Sequence, residues 1–342
     1  MTTTQAPERG IVARLEGVSR SFGPLKALDR VDLEIRAGER LALVGHNGSG
    51  KSTLIKLLLG FLRADAGAVT VLGRPPDARD GARMRGRIAY LPERVAFDPQ
   101  MTGREVLRFY ARLKRADARD PAIEALLEEV GLAAAADRRI AGWSKGMQQR
   151  LGLAVALLGE ADLYLFDEPT TGLDPLARRW FFDLALRLAA RGRAVVIASH
   201  VLAELERIAD RAAMISSGRL FAVGTLEELR ARAGLPQELH LRLPPERLLH
   251  AERAFAGTGA SLSAPGPGRL VVSFADAARA RVLARLAELA AREELDFSFS
   301  APGLDALYAA LLERAGPARD GDGGGGFAAR PRAAHTGGEQ SA

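Results

Sequence analysis

A glycine-rich stretch in the first sixth of the chain carries the residue types that hold a phosphate chain. Residues 45–52 read Gly-His-Asn-Gly-Ser-Gly-Lys-Ser, which matches the pattern G-x-x-x-x-G-K-[ST] at every fixed position. In such a loop backbone N–H groups surround a phosphate, and the following helix adds the positive end of its dipole. Lys51 can reach the β- and γ-phosphate oxygens, and the Ser52 hydroxyl can ligate Mg²⁺. The predicted ligands are therefore a nucleoside triphosphate and Mg²⁺.

The segments on either side of this loop have the patterns that the motif requires. Residues 40–44 form a short apolar run typical of a buried parallel strand, and residues 52–61 place apolar side chains at helical spacing. Strand, loop and helix follow in the order that presents the loop to a phosphate. The predicted nucleotide-binding residues are Gly45, His46, Asn47, Gly48, Ser49, Gly50, Lys51, Ser52 and Thr53.

A pair of acidic residues follows a second apolar run. Residues 163–168 read Leu-Tyr-Leu-Phe-Asp-Glu, so a buried strand ends in two carboxylates. Asp167 can present its carboxylate to the Mg²⁺ that Ser52 holds. Glu168, one residue further, can polarise a water molecule for in-line attack on the γ-phosphate. The alternative is a strand followed by a charged turn, but the phosphate-loop motif upstream favours the catalytic interpretation.

The segment just before that strand resembles the signature of a known family. Residues 143–150 read Trp-Ser-Lys-Gly-Met-Gln-Gln-Arg, which resembles the Leu-Ser-Gly-Gly-Gln signature of the ATP-binding cassette (ABC) ATPases at its serine and second glycine. In that family the signature grips the ATP of the other subunit, so the resemblance implies a homodimer with two ATP molecules between the subunits. An ordinary turn that begins a helix is the alternative. The predicted contacts to the opposite ATP are Ser144, Lys145, Gly146, Met147 and Gln148.

Other residues follow in the order of the family's motifs. Phe22 lies where an aromatic ring stacks on adenine, and Asp174 ends a Gly-Leu-Asp segment that resembles the loop contacting the opposite site. His200, after an apolar run at 194–199, resembles the switch histidine that contacts the γ-phosphate. A lone histidine at a strand end is otherwise most often structural. The resemblance therefore implies two catalytic residues, Glu168 and His200.

One position departs from the family's pattern. These ATPases usually carry glutamine after a proline at the end of the strand predicted at 88–91, and here Pro92 is followed by Glu93. A carboxylate can ligate Mg²⁺ and position water, but it adds negative charge near the phosphates. The predicted Mg²⁺ ligands are therefore Ser52, Asp167 and Glu93.

A finer resemblance concerns the transported cargo. The resemblance to ABC ATPases covers residues 10–232, and segments 90–97, 101–114 and 143–158 look like the ATPase of the transporter that matures the copper site of nitrous oxide reductase. This implies an ATP-hydrolysing subunit on the cytoplasmic face of the bacterial inner membrane, with a separate membrane permease and a periplasmic maturation component as partners. The alternatives are the ATPase of a lipid or antibiotic exporter and, further off, a soluble cassette that acts on ribosomes or DNA.

Composition excludes several other classes of protein. The 342 residues include no cysteine, which excludes disulfides and thiolate metal sites. The net charge of +6 comes from arginines interspersed with acids, a pattern typical of a solvated surface, and no nucleic-acid partner is predicted. No secretory signal and no run of about 18 apolar residues is present, so the chain is not expected to span a membrane by itself.

The alternation of strand and helix patterns predicts an α/β fold with a mostly parallel sheet. Together with the resemblance, this predicts a P-loop NTPase (ABC ATPase) core with antiparallel β and all-helical subdomains. The predicted ATP-binding domain is 10–235, with its helical subdomain at about 95–160. A small α+β accessory domain follows at 236–315. Residues 316–342 are rich in glycine and lack apolar periodicity, which predicts a disordered tail.

Overall fold

The computed structural model describes residues 10–77, 81–291 and 295–316, and the predicted tail lies outside them apart from Gly316. The strands in these residues are β1 (Ile11–Phe22), β2 (Leu25–Arg36), β3 (Arg40–Val44), β4 (Ala66–Val71), β5 (Ile88–Leu91), β6 (Leu163–Asp167), β7 (Ala194–Ser199), β8 (Arg211–Ser216), β9 (Arg219–Thr225), β10 (Gln237–Arg242), β11 (Ser261–Gly266), β12 (Arg269–Phe274) and β13 (Asp296–Ser300). The α-helices are α1 (Lys51–Leu58), α2 (Gly81–Arg85), α3 (Gly103–Lys114), α4 (Asp120–Glu129), α5 (Lys145–Leu157), α6 (Pro175–Ala190), α7 (Leu202–Glu206), α8 (Leu226–Ala233), α9 (Leu248–Phe255), α10 (Arg279–Ala290) and α11 (Leu304–Ala315). None of these helices combines the length and the apolar character needed to cross a membrane.

The central element is a six-stranded sheet with the order β5-β6-β7-β3-β8-β9. All neighbouring strands are parallel except β8 and β9, which confirms the predicted α/β class with a mostly parallel sheet. Strands β3, β6 and β7 are buried on both faces, which is why each reads as a continuous apolar run. Their carboxyl ends lie at one edge of the sheet, where α/β folds bind their ligands.

An antiparallel sheet with the order β2-β1-β4 lies beside this core and shares its hydrophobic cluster. The sequence predicts strands at 11–18 and 31–35, but in the structure both are longer. Pairing continues to Phe22 opposite Leu25, with irregularities in register along the way. The extension was not predicted because the alternation of buried and exposed side chains breaks down where the register shifts.

The segment that the sequence predicts to be helical contains α3, α4 and α5, with 3₁₀ turns at Ala133–Ala135 and Ile140–Gly142. Residues 102–105 read Thr-Gly-Arg-Glu, a pattern that predicts a capping box, and the structure confirms it at the start of α3. The Thr102 hydroxyl accepts a hydrogen bond from the peptide N–H of Glu105, and the Glu105 carboxylate accepts one from the N–H of Thr102 at 2.8 Å. These helices bury a hydrophobic cluster of their own.

The C-terminal region forms a third sheet, which is antiparallel and has the order β11-β12-β10-β13. Helices α9 and α10 pack on one face of it and close a separate hydrophobic cluster. Strands β11 and β13 were not predicted, because β11 contains small and turn-forming residues and β13 is exposed along its length. The sequence places α11 in the accessory domain at 236–315. In the structure its Leu304, Leu307 and Leu311 pack in the core of the ATP-binding domain. The boundaries of the domains stay a prediction.

Candidate nucleotide-binding site

The glycine-rich loop joins β3 to α1, as the sequence predicts, and neighbouring backbone shapes it. Gly50 has φ of 115°, which side chains rarely adopt, and a Cβ there would lie 2.7 Å from the carbonyl oxygen of Ala27. At Gly45 a Cβ would lie 2.5 Å from the carbonyl oxygen of Ile215. Glycine is therefore required at both ends of the loop, and strand β8 fixes the place where the loop begins.

Lys51 lies across this loop. Its side chain is buried, and its Nζ donates hydrogen bonds to the carbonyl oxygens of Gly45, at 2.6 Å, and His46, at 3.1 Å. Burial lowers the pKa of Lys51, and three nearby carboxylates oppose that shift. They belong to Glu168, Asp167 and Glu93. An ammonium in this position can exchange the two carbonyls for phosphate oxygens.

Ser52 and Asp167 meet at the edge of the sheet. The Ser52 Oγ, in the first turn of α1, donates a hydrogen bond to Asp167 Oδ2 at 2.9 Å, at the end of β6. These two oxygens are suited to Mg²⁺. In the part of the chain that the structure describes, no three histidine, aspartate or glutamate side chains form a metal site. A Mg²⁺ ion held by Ser52 and Asp167 would leave positions open for phosphate oxygens and water.

Charge accumulates around Asp167. Burial raises the pKa of the Asp167 carboxyl, and the hydrogen bond from Ser52 lowers it. The neighbouring carboxylates of Glu168 and Glu93 add to the increase. Glu93 lies exposed after β5 and acts on this group through its charge. A divalent cation would relieve the repulsion among these carboxylates, which fits the predicted Mg²⁺ site.

Asp167→Asn is expected to stabilise the nucleotide-free protein while it abolishes Mg²⁺-dependent hydrolysis. Because the pKa of Asp167 is raised in the folded state, ionisation of Asp167 opposes folding, and this cost grows as the pH rises above the ordinary aspartate pKa. We expect the melting temperature at pH 7 to rise, since each ~1 kcal/mol of added stability raises it by about 2–4 °C in a large domain. The gain should shrink as the pH is lowered toward 4.

The control is Asp183→Asn, because Asp183 is exposed on α6. Thermal unfolding of both variants and the wild type at several pH values measures the effect. An Asp167→Asn variant that melts at or below the wild-type temperature at pH 7 would show that the Asp167 charge does not oppose folding.

Glu168 is held in one orientation by the end of β7. Its Oε2 accepts a hydrogen bond from the Ser199 hydroxyl at 3.1 Å, and its Oε1 accepts one from the His200 peptide N–H at 3.0 Å. The His200 Nδ1 lies 2.8 Å from the same Oε1. Glu168 also has φ of 51°, a strained conformation for this residue type that is found most often at functional sites. A buried, oriented carboxylate beside Asp167 is suited to positioning a water molecule.

Two residues near Glu168 were not predicted as part of the site. Gln149, buried on α5, donates from its Nε2 to the carbonyl oxygens of Glu168, at 3.4 Å, and Pro169, at 3.2 Å. Ser199, buried at the end of β7, bonds the Glu168 carboxylate. A polar residue inside an apolar run was the available signal for Ser199. Gln149 follows the signature segment directly, but the sequence does not show which way its side chain points.

The signature segment begins α5 and contacts the loop before α6. Ser144 caps α5, since its Oγ accepts a hydrogen bond from the peptide N–H of Met147 at 3.3 Å. A Cβ on Gly146 would lie 2.6 Å from the carbonyl oxygen of Gly172, so glycine is required there. Lys145 packs along the other side of Gly172. The structure therefore joins the predicted signature to the predicted inter-subunit loop.

Asp174 caps α6 at the end of that loop. Its Oδ1 accepts a hydrogen bond from the peptide N–H of Ala177 at 2.8 Å, and this bond holds the pKa of Asp174 below its usual value. Arg150 of α5 lies 3.8 Å from the other carboxylate oxygen. Gln148, also on α5, donates a hydrogen bond from its Nε2 to the carbonyl oxygen of Trp143 at 3.4 Å. The candidate contact surface for a second subunit is thus a preformed unit of α5 and α6.

The remaining predicted residues lie around the phosphate loop and at the β1–β2 turn. Phe22 is half exposed, and the guanidinium of Arg20 lies 4.9 Å from its ring centroid. His46 Nδ1 lies 2.8 Å from the Asn47 carbonyl oxygen. Thr53 is partly buried in the first turn of α1. An exposed aromatic ring is suited to stacking on a base, as predicted for Phe22.

Comparison with known proteins agrees with this geometry. The model of the ABC transporter family matches residues 28–171. The daunorubicin resistance ATP-binding protein of Streptomyces coeruleorubidus is 36% identical over 222 residues, which cover 64% of this chain and 70% of that protein. The Nod factor export ATP-binding protein I of Mesorhizobium japonicum is 34% identical over 286 residues, which cover 80% of this chain and 83% of that protein.

Solved structures show the same fold. The structure of an ATP-binding subunit of an ABC transporter is 32% identical, with a TM-score of 0.60 over 65% of this chain and 93% of that one. An ATP-binding cassette in its ADP conformation is 25% identical, with a TM-score of 0.56 over 64% and 92% of the two chains. The predicted P-loop NTPase fold and ATPase activity are therefore confirmed at the level of the family. By its sequence, fold and phosphate loop, this chain belongs to the ATP-hydrolysing, ATP-binding subunits of ABC transporters.

Proposed function

We propose that the chain is the ATPase subunit of an exporter and that it drives a separate membrane permease. The observation that carries this proposal is the extent of the match to the Nod factor export protein. That match covers 80% of the chain, more than the predicted ATP-binding domain at 10–235. The likeness to an export subunit therefore includes part of the C-terminal region. Antibiotics and lipids are the cargo classes that we favour.

The predicted role in nitrous oxide reductase maturation finds no support in these relatives. Their names refer to Nod factor export and to daunorubicin resistance. The predicted periplasmic maturation component likewise has no support. The chain has no cysteine, so a copper site of thiolates cannot form on it. The exporter, which the sequence leaves open as an alternative, is now the better-supported proposal.

In the proposed mechanism each of these side chains has a separate role. Lys51 exchanges its bonds to the loop carbonyls for bonds to the β- and γ-phosphates. Ser52 and Asp167 would hold Mg²⁺, which would supply positive charge against the phosphate oxygens. Glu168, fixed by Ser199 and His200, orients the water molecule and accepts its proton.

A second copy of the chain completes this site. We propose that Ser144 and the N-terminus of α5 in the second copy grip the γ-phosphate, where the helix dipole favours negative charge. The loop that ends at Asp174 faces the opposite site, and Phe22 stacks on adenine. Glu93, which follows β5, would help to hold Mg²⁺ and to position water. ATP binding then closes the dimer and hydrolysis opens it, at the cytoplasmic face of the inner membrane, where the permease converts the motion into transport.

Deletion of the gene in its native strain tests the cargo class. An exporter subunit predicts at least about a fourfold increase in sensitivity to one or more compounds in a panel of antibiotics and amphiphiles. Wild-type protein should restore tolerance, and Glu168→Gln should not. If the deletion instead lowers the copper content of nitrous oxide reductase and leaves tolerance unchanged, the export proposal is wrong and the maturation role is correct.

A further inference from the structure

Helix α11 connects the C-terminal sheet to the ATP-binding domain. It begins four residues after β13, the edge strand of that sheet. Leu304, Leu307 and Leu311 are buried in the cluster that also contains residues of α7 and α8. Among the described residues, α11 and the short link before β10 are the segments of chain that connect this sheet to the ATP-binding domain.

The N-terminus of α11 is capped by a residue from another helix. The N-cap position is Gly303, which has no side chain to serve as a cap. Instead the Leu304 peptide N–H donates to Oε2 of Glu206 at 3.3 Å. The Glu206 carboxylate also pairs with Arg230 of α8, and Arg230 Nε donates to the carbonyl oxygen of Pro302 at 3.2 Å. Glu206 thus supplies the negative charge that a helix N-terminus favours.

Glu206 is also the last residue of α7, which begins two residues after His200. A helix of five residues has little stability of its own, so tertiary contacts determine where it lies. Besides the bonds of Glu206, these contacts are made by Leu202 and Leu205, which are buried in the same hydrophobic cluster as the leucines of α11. His200 is therefore held between the end of β7 and a short helix whose position depends on α11. The imidazole that lies 2.8 Å from Glu168 Oε1 thus directly precedes the segment that leads into α7.

The same helix makes a second contact near the site. The Tyr308 hydroxyl donates a hydrogen bond to the carbonyl oxygen of Ile215 at 3.1 Å, and its ring packs edge-on against Phe221 at 5.2 Å. That carbonyl is the one against which Gly45 packs at the start of the phosphate loop. Helix α11 therefore contacts the supports of both the loop and His200.

We propose that α11 couples the C-terminal domain to ATP hydrolysis and that Glu206 is a positioning residue, which acts by holding α7 and thereby His200. The inference rests on the proposed catalytic role of His200. The C-terminal region then affects the rate of ATP hydrolysis. Its anchorage at Glu206 sets the fraction of time that His200 spends in contact with Glu168.

The test uses Glu206→Ala in the full-length protein, alone and combined with His200→Ala. Alone it is expected to lower kcat by about fivefold with the KM for ATP within about twofold, because it disturbs a step after ATP binding. In the His200→Ala background Glu206→Ala is expected to cause no further loss of kcat. The effects of two substitutions that act through one group do not add. Glu206→Gln keeps an oxygen that can accept from Leu304 and should recover at least about half of wild-type kcat.

The matched control is Glu129→Ala. Glu129 of α4 pairs with Arg187 of α6 at 3.1 Å, so this variant also removes an Arg–Glu pair between two helices. It should leave kcat unchanged. ¹⁵N labelling of the five histidines gives a readout that does not depend on activity. The ring signals of His200 should shift in Glu206→Ala and stay in place in Glu129→Ala.

Unchanged His200 signals in Glu206→Ala, or an equal loss of kcat with and without His200, would overturn the inference while leaving the proposed function intact. Wild-type kcat in His200→Ala alone would instead overturn the catalytic role of His200, and the inference with it. The inference is supported if Glu206→Ala lowers kcat in the wild-type background but not in the His200→Ala background, and if the His200 signals shift.

Discussion

Glu168→Gln is expected to bind ATP as tightly as the wild type and to hydrolyse it at least about a hundredfold more slowly, because general-base catalysis typically contributes 10²–10⁴-fold. Glutamine has nearly the same shape as glutamate and keeps one oxygen, which can accept from the His200 peptide N–H, while its amide nitrogen takes the place of Oε2 beside the Ser199 hydroxyl. It cannot accept a proton from the attacking water. The loss should therefore appear in kcat, measured as phosphate release at saturating ATP.

The control for this variant is Glu160→Gln, an exposed carboxylate before β6 that pairs with Arg193. It should keep wild-type kcat. If Glu168→Gln keeps kcat within about threefold of the wild type, Glu168 is not the base, and another group must activate the water.

Lys51→Ala is expected to lower the affinity for ATP by about a hundredfold or more. The variant loses the ammonium that lies over the loop and bonds Gly45 and His46, so the β- and γ-phosphates lose their direct cationic partner. It also leaves the carboxylates of Glu168 and Asp167 without a neutralising charge. Both effects act against binding of an anionic ligand, and titration with a fluorescent ATP analogue measures them.

Lys56→Ala is the matched control, because Lys56 is an exposed lysine on the same helix. Circular dichroism should show that both variants are folded. ATP affinity in Lys51→Ala equal to that of the wild type would contradict the assignment of residues 45–52 as the phosphate loop.

Much of the fold follows from local patterns in the sequence. The apolar runs at β3, β6 and β7 predict a parallel sheet because strands buried on both faces need no polar side chains. The capping box at Thr102 predicts the start of α3 because two side chains there serve backbone groups. Strands β11 and β13 lack such signals, because β11 contains small and turn-forming residues and β13 pairs with β10, which is distant in sequence. Burial of α11 in the ATP-binding domain was not predictable for the same reason.

The residues of the candidate site also fall into those that local patterns predict and those that they do not. Residues of contiguous motifs, such as Lys51, Ser52 and Asp167, were found because their spacing encodes their geometry. Ser199 and Gln149 support Glu168 from other elements, and the sequence shows neither their direction nor their partners. Glu206 was missed because its role depends on a helix about a hundred residues further along the chain.

We propose that one chain carries half of each ATP site and that a second copy completes it. Light scattering of Glu168→Gln with and without Mg²⁺-ATP tests this most directly, because slow hydrolysis keeps ATP in place. We expect ATP to double the mass of Glu168→Gln, and we expect the double variant with Ser144→Arg to stay monomeric with ATP still bound. A Glu168→Gln protein that binds ATP and stays monomeric, or a dimer that Ser144→Arg leaves intact, would contradict it.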